Sequence, residues 1–160
     1  MPKIPGALKF YVVMSYITGS FLILLLIEMI LKYSIDASTG AFVLPSTYII
    51  PETGKWAFYE PGYEVELAGE QGFLALVPAG EVTAVNLSIG ILIIHGWLYV
   101  IYLFAGFRLW TLMRWSLPRF IMIALGGIIP GLSFILENIY AKQVKAFLKS
   151  STTPSGGQAA

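Results

Sequence analysis

Two ionisable side chains, Glu28 and His95, lie inside long apolar stretches of this 160-residue chain. Titratable groups are costly inside a membrane segment and are candidates for function by default. Glu28 is able to carry protons, or to pair with Lys32, which lies four residues later on the same helix face. His95 is able to join helices by a hydrogen bond, to relay protons with Glu28, or to supply one axial ligand to a heme or metal that a partner completes.

A third acid, Glu137, lies with Asn138 near the end of the last apolar stretch, where we expect both to be helix-end groups that reach the interface. The chain has no cysteine, no glycine-rich phosphate loop, no metal-ligand spacing and no Ser/His/Asp set. We therefore predict that it is not an enzyme and holds no metal or cofactor, although bound lipid is expected. The net charge of +1 gives no electrostatic case for a nucleic-acid partner.

The elements that must position these residues are apolar. The chain is 57% hydrophobic and 12% charged, whereas soluble domains average about 25% charged residues. Its mean hydropathy is +0.76. Three runs, residues 10–31, 87–107 and 120–140, are each long enough to cross a bilayer as a helix, which takes about 20 residues. The sequence therefore predicts an all-α membrane protein with three transmembrane helices, the first of them within residues 1–33 and the others within 87–149.

The composition changes between the first and second runs. Residues 34–86, hereafter the acidic module, hold seven acids and one base, Lys55, together with many prolines and glycines. Short β-prone pieces at 41–50, 56–59, 63–67 and 73–77 predict a small β-rich insertion. Because aromatic side chains are enriched in the cores of interfaces, Trp56, Tyr59 and Tyr63 are predicted to dock on a partner.

Charge sets the predicted orientation. The segment 108–119 holds three arginines and no acid, as a short cytoplasmic loop does under the positive-inside rule. We therefore expect a multi-pass protein of the bacterial plasma membrane whose N-terminus is inside and whose acidic module is extracytoplasmic. Residues 150–160, rich in Ser, Thr, Pro and Gly, are predicted to be disordered.

The third run contains Gly126, Gly127, Pro130 and Gly131. The proline should kink the helix, and the glycines should let a neighbouring helix of a partner approach closely. A re-entrant third run that returns to the cytoplasm is the alternative to a third span.

Four segments resemble a small actinobacterial integral-membrane family of unassigned function. They are residues 19–33 (GSFLILLLIEMILKY), 95–102 (HGWLYVIY), 114–119 (RWSLPR) and 130–137 (PGLSFILE), which occur in the same order. The resemblance extends over most of the three membrane segments, about half of the chain. The resemblance implies the three-helix architecture and no activity. The chain departs from the family in its insertion of residues 34–86, where members have a short loop, and in Glu28, where a small apolar residue is usual.

The function expected from these features is a non-catalytic accessory subunit of a larger inner-membrane complex, with other integral membrane subunits and lipid as partners. By analogy, a respiratory supercomplex of the cytochrome bcc–oxidase type is one natural host. The alternative is a small homo-oligomeric transporter or lipid-handling protein in which Glu28 and His95 line a path. An enzyme of lipid or envelope metabolism is a third hypothesis, without a catalytic constellation to support it.

Overall fold

A computed structural model describes residues 3–152, which form four helices and five short strands. In chain order these are α1 (Lys3–Tyr33), β1 (Thr47–Ile49), β2 (Trp56–Phe58), β3 (Tyr63–Gly69), β4 (Gly72–Pro78), β5 (Val85–Asn86), α2 (Leu87–Met113), α3 (Leu117–Gly126) and α4 (Leu132–Thr152). The predicted β-rich insertion between the first two helices is confirmed. Helices α1 and α2 are both long and apolar enough to cross a membrane.

The third apolar run is two helices rather than one kinked helix. Helix α3 has 10 residues, so it is about 15 Å long and cannot cross a hydrocarbon core of about 30 Å by itself. The break follows from Pro130, which has no backbone N–H to donate, and from Gly131, whose φ of +82° is a conformation that favours glycine. The number of spans therefore stays a prediction.

The helices extend past the apolar runs: α1 and α2 stay within the predicted ranges of residues 1–33 and 87–149, whereas α4 continues beyond residue 149. Helix α1 begins at Lys3 and not near residue 10, and α2 continues to Met113, which leaves only residues 114–116 between α2 and α3. Helix α4 runs through Ser150 and Ser151, whose hydroxyls donate to backbone carbonyls one turn earlier. The prediction of disorder is thus wrong for residues 150–152. Residues 153–160 lie outside the described part of the chain.

The fold comprises two compact units, and the boundary between them passes through α1 and α2. The first, residues 3–22 and 96–152, packs the beginning of α1, most of α2, and helices α3 and α4. Its core is built on fully buried side chains such as Tyr11, Tyr102, Leu109, Ile123 and Val144. Tyr11 and Tyr102 stack with their ring centroids 5.8 Å apart.

The second unit, residues 23–95, joins the end of α1 and the beginning of α2 to the acidic module. Strands β4, β3 and β5 form one antiparallel sheet with β3 in the centre, and Tyr63 of β3 is opposite Pro78 of β4. Strands β1 and β2 form a separate two-stranded ribbon in which Tyr48 is opposite Ala57. Strand β3 is the central strand of this sheet, and it also contacts the helix ends through the Val65 backbone and the Glu64 side chain.

Candidate functional site

Glu28 connects the end of α1 to the acidic module through a serine. Its side chain is 7% exposed, and its Oε2 atom accepts a short hydrogen bond from the Ser88 hydroxyl at the beginning of α2. The same hydroxyl oxygen accepts the backbone N–H of Val65 in β3 at 2.9 Å. Ser88 therefore holds α1, α2 and β3 at one point, and the buried Glu28 carboxylate has a structural partner.

Lys32 forms a second connection, and the expected Glu28–Lys32 pair is wrong. The Lys32 ammonium lies 2.7 Å from Glu64 and 3.2 Å from Glu60, both in the acidic module. Tyr33 adds a hydrogen bond of 3.4 Å from its hydroxyl to Glu60. Spacing along one helix suggested the wrong partner because the module brings two carboxylates to the same ammonium.

Backbone packing forms a third connection. The Gly62 N–H donates to the Lys32 carbonyl at 3.1 Å, and the Gly62 carbonyl accepts the Ala79 N–H at 2.8 Å. A Cβ atom at position 62 would overlap the Leu31 carbonyl oxygen. Only glycine lets the module approach the last turn of α1 so closely.

The alternation in β3 is the reverse of what a half-buried strand usually shows. Glu64 and Glu66 are the buried residues, and the apolar residues between them are half-buried. Glu66 accepts the N–H groups of Thr83 and Ala84 at 2.6 and 2.7 Å and the Thr83 hydroxyl at 2.9 Å. Glu64 accepts the Gly80 N–H at 3.2 Å as well as Lys32. These carboxylates fix the loop before β5, and they explain why the acids alternate with apolar residues.

The electrostatics agree with this structural role. Hydrogen bonds from the Ala84 and Thr83 backbone lower the pKa of the Glu66 carboxyl below its ordinary value. Burial alone would raise the pKa of Glu64, but the hydrogen bonds from Lys32 and the Gly80 N–H outweigh it and lower that pKa. Both groups are therefore held as carboxylates at neutral pH.

A cavity beside this junction is lined in part by Glu28, Lys32 and Ser88 and has a volume of about 70 Å³. Metabolite sites occupy roughly 300–1,000 Å³, so this cavity is too small for a substrate. Within residues 3–152, no cluster of three or more His, Asp or Glu side chains could hold a metal ion.

The β1–β2 ribbon presents aromatic residues outward. Trp56 is 73% exposed and Tyr59 is 49% exposed, and Tyr48 and Phe58 are also exposed. An open groove of about 740 Å³ runs along the ribbon and is lined by Tyr48, Ala57, Phe58, Tyr59 and Glu60. Of the three predicted docking aromatics, Tyr63 differs: it is half-buried, and its hydroxyl donates to the Ala37 carbonyl at 2.9 Å inside the module.

The glycines expected to meet a partner are used within the chain. A Cβ atom at Gly126 would lie 2.8 Å from the Tyr102 hydroxyl, and one at Gly127 would overlap the Tyr99 ring. The absence of a Cβ atom at both positions therefore lets tyrosines of α2 pack closely against the end of α3. Gly131 meets no neighbour within 4 Å and serves the turn between α3 and α4.

Glu137 and His95, the other two ionisable residues predicted in apolar stretches, are both buried. Glu137 is 6% exposed in α4, and the expectation that it is a helix-end group is wrong because α4 continues for 15 more residues, to Thr152. Asn138 is exposed, and its amide donates to the Phe134 carbonyl at 2.9 Å. His95 is 9% exposed in α2, and its proposed roles stay predictions.

Sequence reasoning missed Ser88, Glu60, Glu64 and Glu66 as residues of the site. The available signal was the run of acids in a β-prone segment that follows a single helix-end lysine. Ser88 gave no such signal, because a serine at the start of an apolar helix usually serves only its own first turn.

Residues 72–142 match the model of a domain of unknown function, DUF3817. An uncharacterized protein of Mycobacterium leprae is 34% identical over 53 residues, which are 33% of this chain and 44% of that protein. Uncharacterized proteins of Mycobacterium bovis and Mycobacterium tuberculosis are each 35% identical over 54 residues, which are 34% of this chain and 45% of theirs. The chain thus spans less than half the length of these relatives, and no solved structure matches it.

The family match begins at β4 and ends in α4, so it contains three of the four segments that carried the resemblance and leaves out residues 19–33. Neither the description of the domain nor the names of these relatives state an activity. The matches confirm, through residues 72–142, the resemblance to a small actinobacterial family of unassigned function.

Proposed function

We propose that this protein is a non-catalytic accessory subunit of a larger complex in the bacterial plasma membrane. Helices α1 and α2 cross the membrane, the segment α3–α4 forms the third membrane element, and the acidic module lies outside. The arginines of residues 108–119 support this orientation through the positive-inside rule. A respiratory supercomplex is the host that we propose by analogy.

The observation that carries the proposal is the exposed aromatic ribbon on a firmly attached module. Large contiguous patches of exposed apolar side chains mark interaction sites, and aromatic side chains are enriched at protein interfaces. Ser88, Lys32 and Gly62 fix β3 and the residue before it to the helix ends, so a partner would meet a module whose attachment to the helices is already ordered. Pre-ordering lowers the entropic cost of docking.

The polar groups near the module favour this reading over transport. Glu28, the residue that would serve a proton path, is bound to Ser88 and stabilises the attachment of β3. In the alternative, a homo-oligomeric transporter or lipid-handling protein, Glu28 and His95 would instead line a path between protomers. The two functions differ in what the protein binds and in how it tolerates changes at His95.

The test is purification of the tagged full chain in mild detergent, at its native expression level, with mass spectrometry and a visible absorption spectrum. We expect partner chains in a fixed ratio, with heme bands if the host is respiratory, and we expect His95→Gln to leave the partner ratio unchanged. A colourless homo-oligomer without partners would overturn the proposal and favour the transporter.

A further inference from the structure

We infer that the groove along the β1–β2 ribbon binds an extended basic segment of an extracytoplasmic partner, which adds as a third strand at the edge of β2. The inference rests on the proposed function and deepens it, because it names the surface and the chemistry of the partner. Three features support it: the open edge of the ribbon, the aromatic groove along it, and the net negative charge of the acidic module to which it belongs.

The edge of β2 has backbone groups available for a further strand. The Ile50 N–H donates to the Lys55 carbonyl and the Tyr59 N–H donates to the Ser46 carbonyl, each at 2.9 Å. In an antiparallel ladder these hydrogen-bonded pairs alternate with pairs whose N–H and C=O groups point outward. The outward groups of β2 therefore belong to Trp56 and Phe58.

The ribbon is also incomplete as a sheet. Each strand has only three residues, and within residues 3–152 the ribbon consists of β1 and β2 alone. Two-stranded ribbons are marginally stable in water, and added strands stabilise them. Addition of a partner strand to an exposed sheet edge is a common mode of peptide recognition.

The groove favours cationic side chains. Two tyrosines and a phenylalanine line it together with Glu60, which shares the single Lys32 ammonium with Glu64, so that two carboxylates face one cation there. Aromatic faces attract guanidinium and ammonium groups, and a neighbouring carboxylate strengthens that attraction. An arginine or lysine at alternate positions of an added strand would place its stem on the rings and its charge near the acids.

Charge identifies the partner as a basic polypeptide. The acidic module has seven acids and one base, and Glu52, Glu60, Glu70 and Glu81 are exposed. A bilayer with anionic headgroups would repel this surface, and so would the same surface on a second copy of the chain. A basic segment of a different protein is the occupant that the charges favour.

The test uses the full chain in uncharged detergent and three ten-residue probe peptides with blocked ends. The first alternates arginine with valine, the second alternates glutamate with valine, and the third is the arginine peptide with alternate backbone nitrogens methylated. We expect the arginine peptide to bind at least about tenfold more tightly than either of the others. The peptide comparison needs no variant, so misfolding cannot produce the result.

A matched pair of variants locates the site. Tyr59→Ser removes an aromatic ring that lines the groove, and Phe73→Ser removes one that is 80% exposed in β4 of the other sheet. We expect Tyr59→Ser to weaken binding of the arginine peptide about tenfold and Phe73→Ser to change it less than about twofold.

Several outcomes would overturn the inference. They are equal or absent binding of the three peptides, equal effects of the two variants, and preferential binding of the ribbon to anionic phosphatidylglycerol vesicles. Dimerisation that Tyr59→Ser abolishes would also overturn it, by assigning the ribbon to a second copy. If partner chains still copurify with the Tyr59→Ser variant, the groove is not their binding site, but the proposal of an accessory subunit stands. If no partner chains copurify with the unmodified chain, the proposal of an accessory subunit is refuted, and the peptide experiment tests the groove separately.

Discussion

Ser88→Ala should loosen the attachment of the acidic module to the helix ends, because it removes a hydroxyl that contacts both. The hydroxyl makes two bonds at once, one to the buried Glu28 carboxylate and one from the Val65 N–H. A hydrogen bond to a charged group is worth about 1.5–3 kcal/mol, and an unsatisfied N–H costs about 1–3 kcal/mol when buried. Because Val65 is only half-buried, we expect a total loss near 3 kcal/mol.

Hydrogen–deuterium exchange of the full chain in detergent measures this loss locally. A change near 3 kcal/mol in the opening of β3 corresponds to roughly 100-fold faster exchange of its protected amides. Ser46→Ala is the matched control, since Ser46 is exposed in the same module and its backbone carbonyl, which accepts the Tyr59 N–H, is unchanged. We expect that variant to exchange like the unmodified chain.

A double-mutant cycle tests whether the side chains of Glu28 and Ser88 stabilise the module as a pair. Replacing both Glu28 and Ser88 by apolar residues removes the stranded carboxylate, so Glu28→Leu with Ser88→Ala should cost less than the sum of the single changes. Additive effects, or exchange of β3 in Ser88→Ala within twofold of the unmodified chain, would show that the Ser88 hydroxyl does not hold the module.

Three further predictions concern packing and pH. Gly62→Ala should destabilise the module by about 3 kcal/mol or more, seen as loss of β3 protection, because its Cβ would overlap a carbonyl of α1. Glu64 and Glu66 have folded-state pKa values below those of an unfolded chain, so their stabilisation is present above about pH 4.3 and is lost as the pH falls through the folded values. Gly127→Ala should lower the melting temperature in detergent because its Cβ would overlap the Tyr99 ring, and Tyr99→Leu should partly restore it.

Each of these has its own control. Gly90 lies in α2 with no atom within 4 Å of a built Cβ, so Gly90→Ala should be neutral or stabilising, and equal losses at positions 62 and 90 would contradict the packing argument. For pH, β3 exchange in a Glu66→Gln variant should depend less steeply on pH below about 4.3. A Gly127→Ala chain that melts unchanged would refute the close approach of α3 to Tyr99.

The features that the sequence predicted well depend on local patterns. The apolar runs gave α1 and α2, and the β-prone pieces between turn residues gave β2, β3 and β4. Trp56 and Tyr59, predicted to dock on a partner, are exposed as that prediction requires, and the docking itself stays a prediction. These signals are readable because helix and strand periodicity and turn residues act over a few positions.

The features that the sequence could not give depend on contacts between distant residues. The partners of Lys32 lie about 30 positions away, and nothing in the spacing of α1 distinguishes them from Glu28. The burial of Glu64 and Glu66 reversed the expected alternation, since their hydrogen-bond donors come from the loop near Thr83. The predicted disorder was wrong for residues 150–152 because the lysine-bearing end of α4 continues the helix beyond its apolar part.

Site-specific photo-crosslinking in living cells shows whether the β1–β2 ribbon meets a different protein. A benzophenone amino acid at position 56 places the reactive group on the exposed ribbon, and the same group at position 73 serves as the control on the other sheet. We expect one discrete heavier product from position 56, containing a different membrane-associated protein, and much less product from position 73. Crosslinks from position 56 to lipid alone, or to a second copy of this chain, would contradict this expectation.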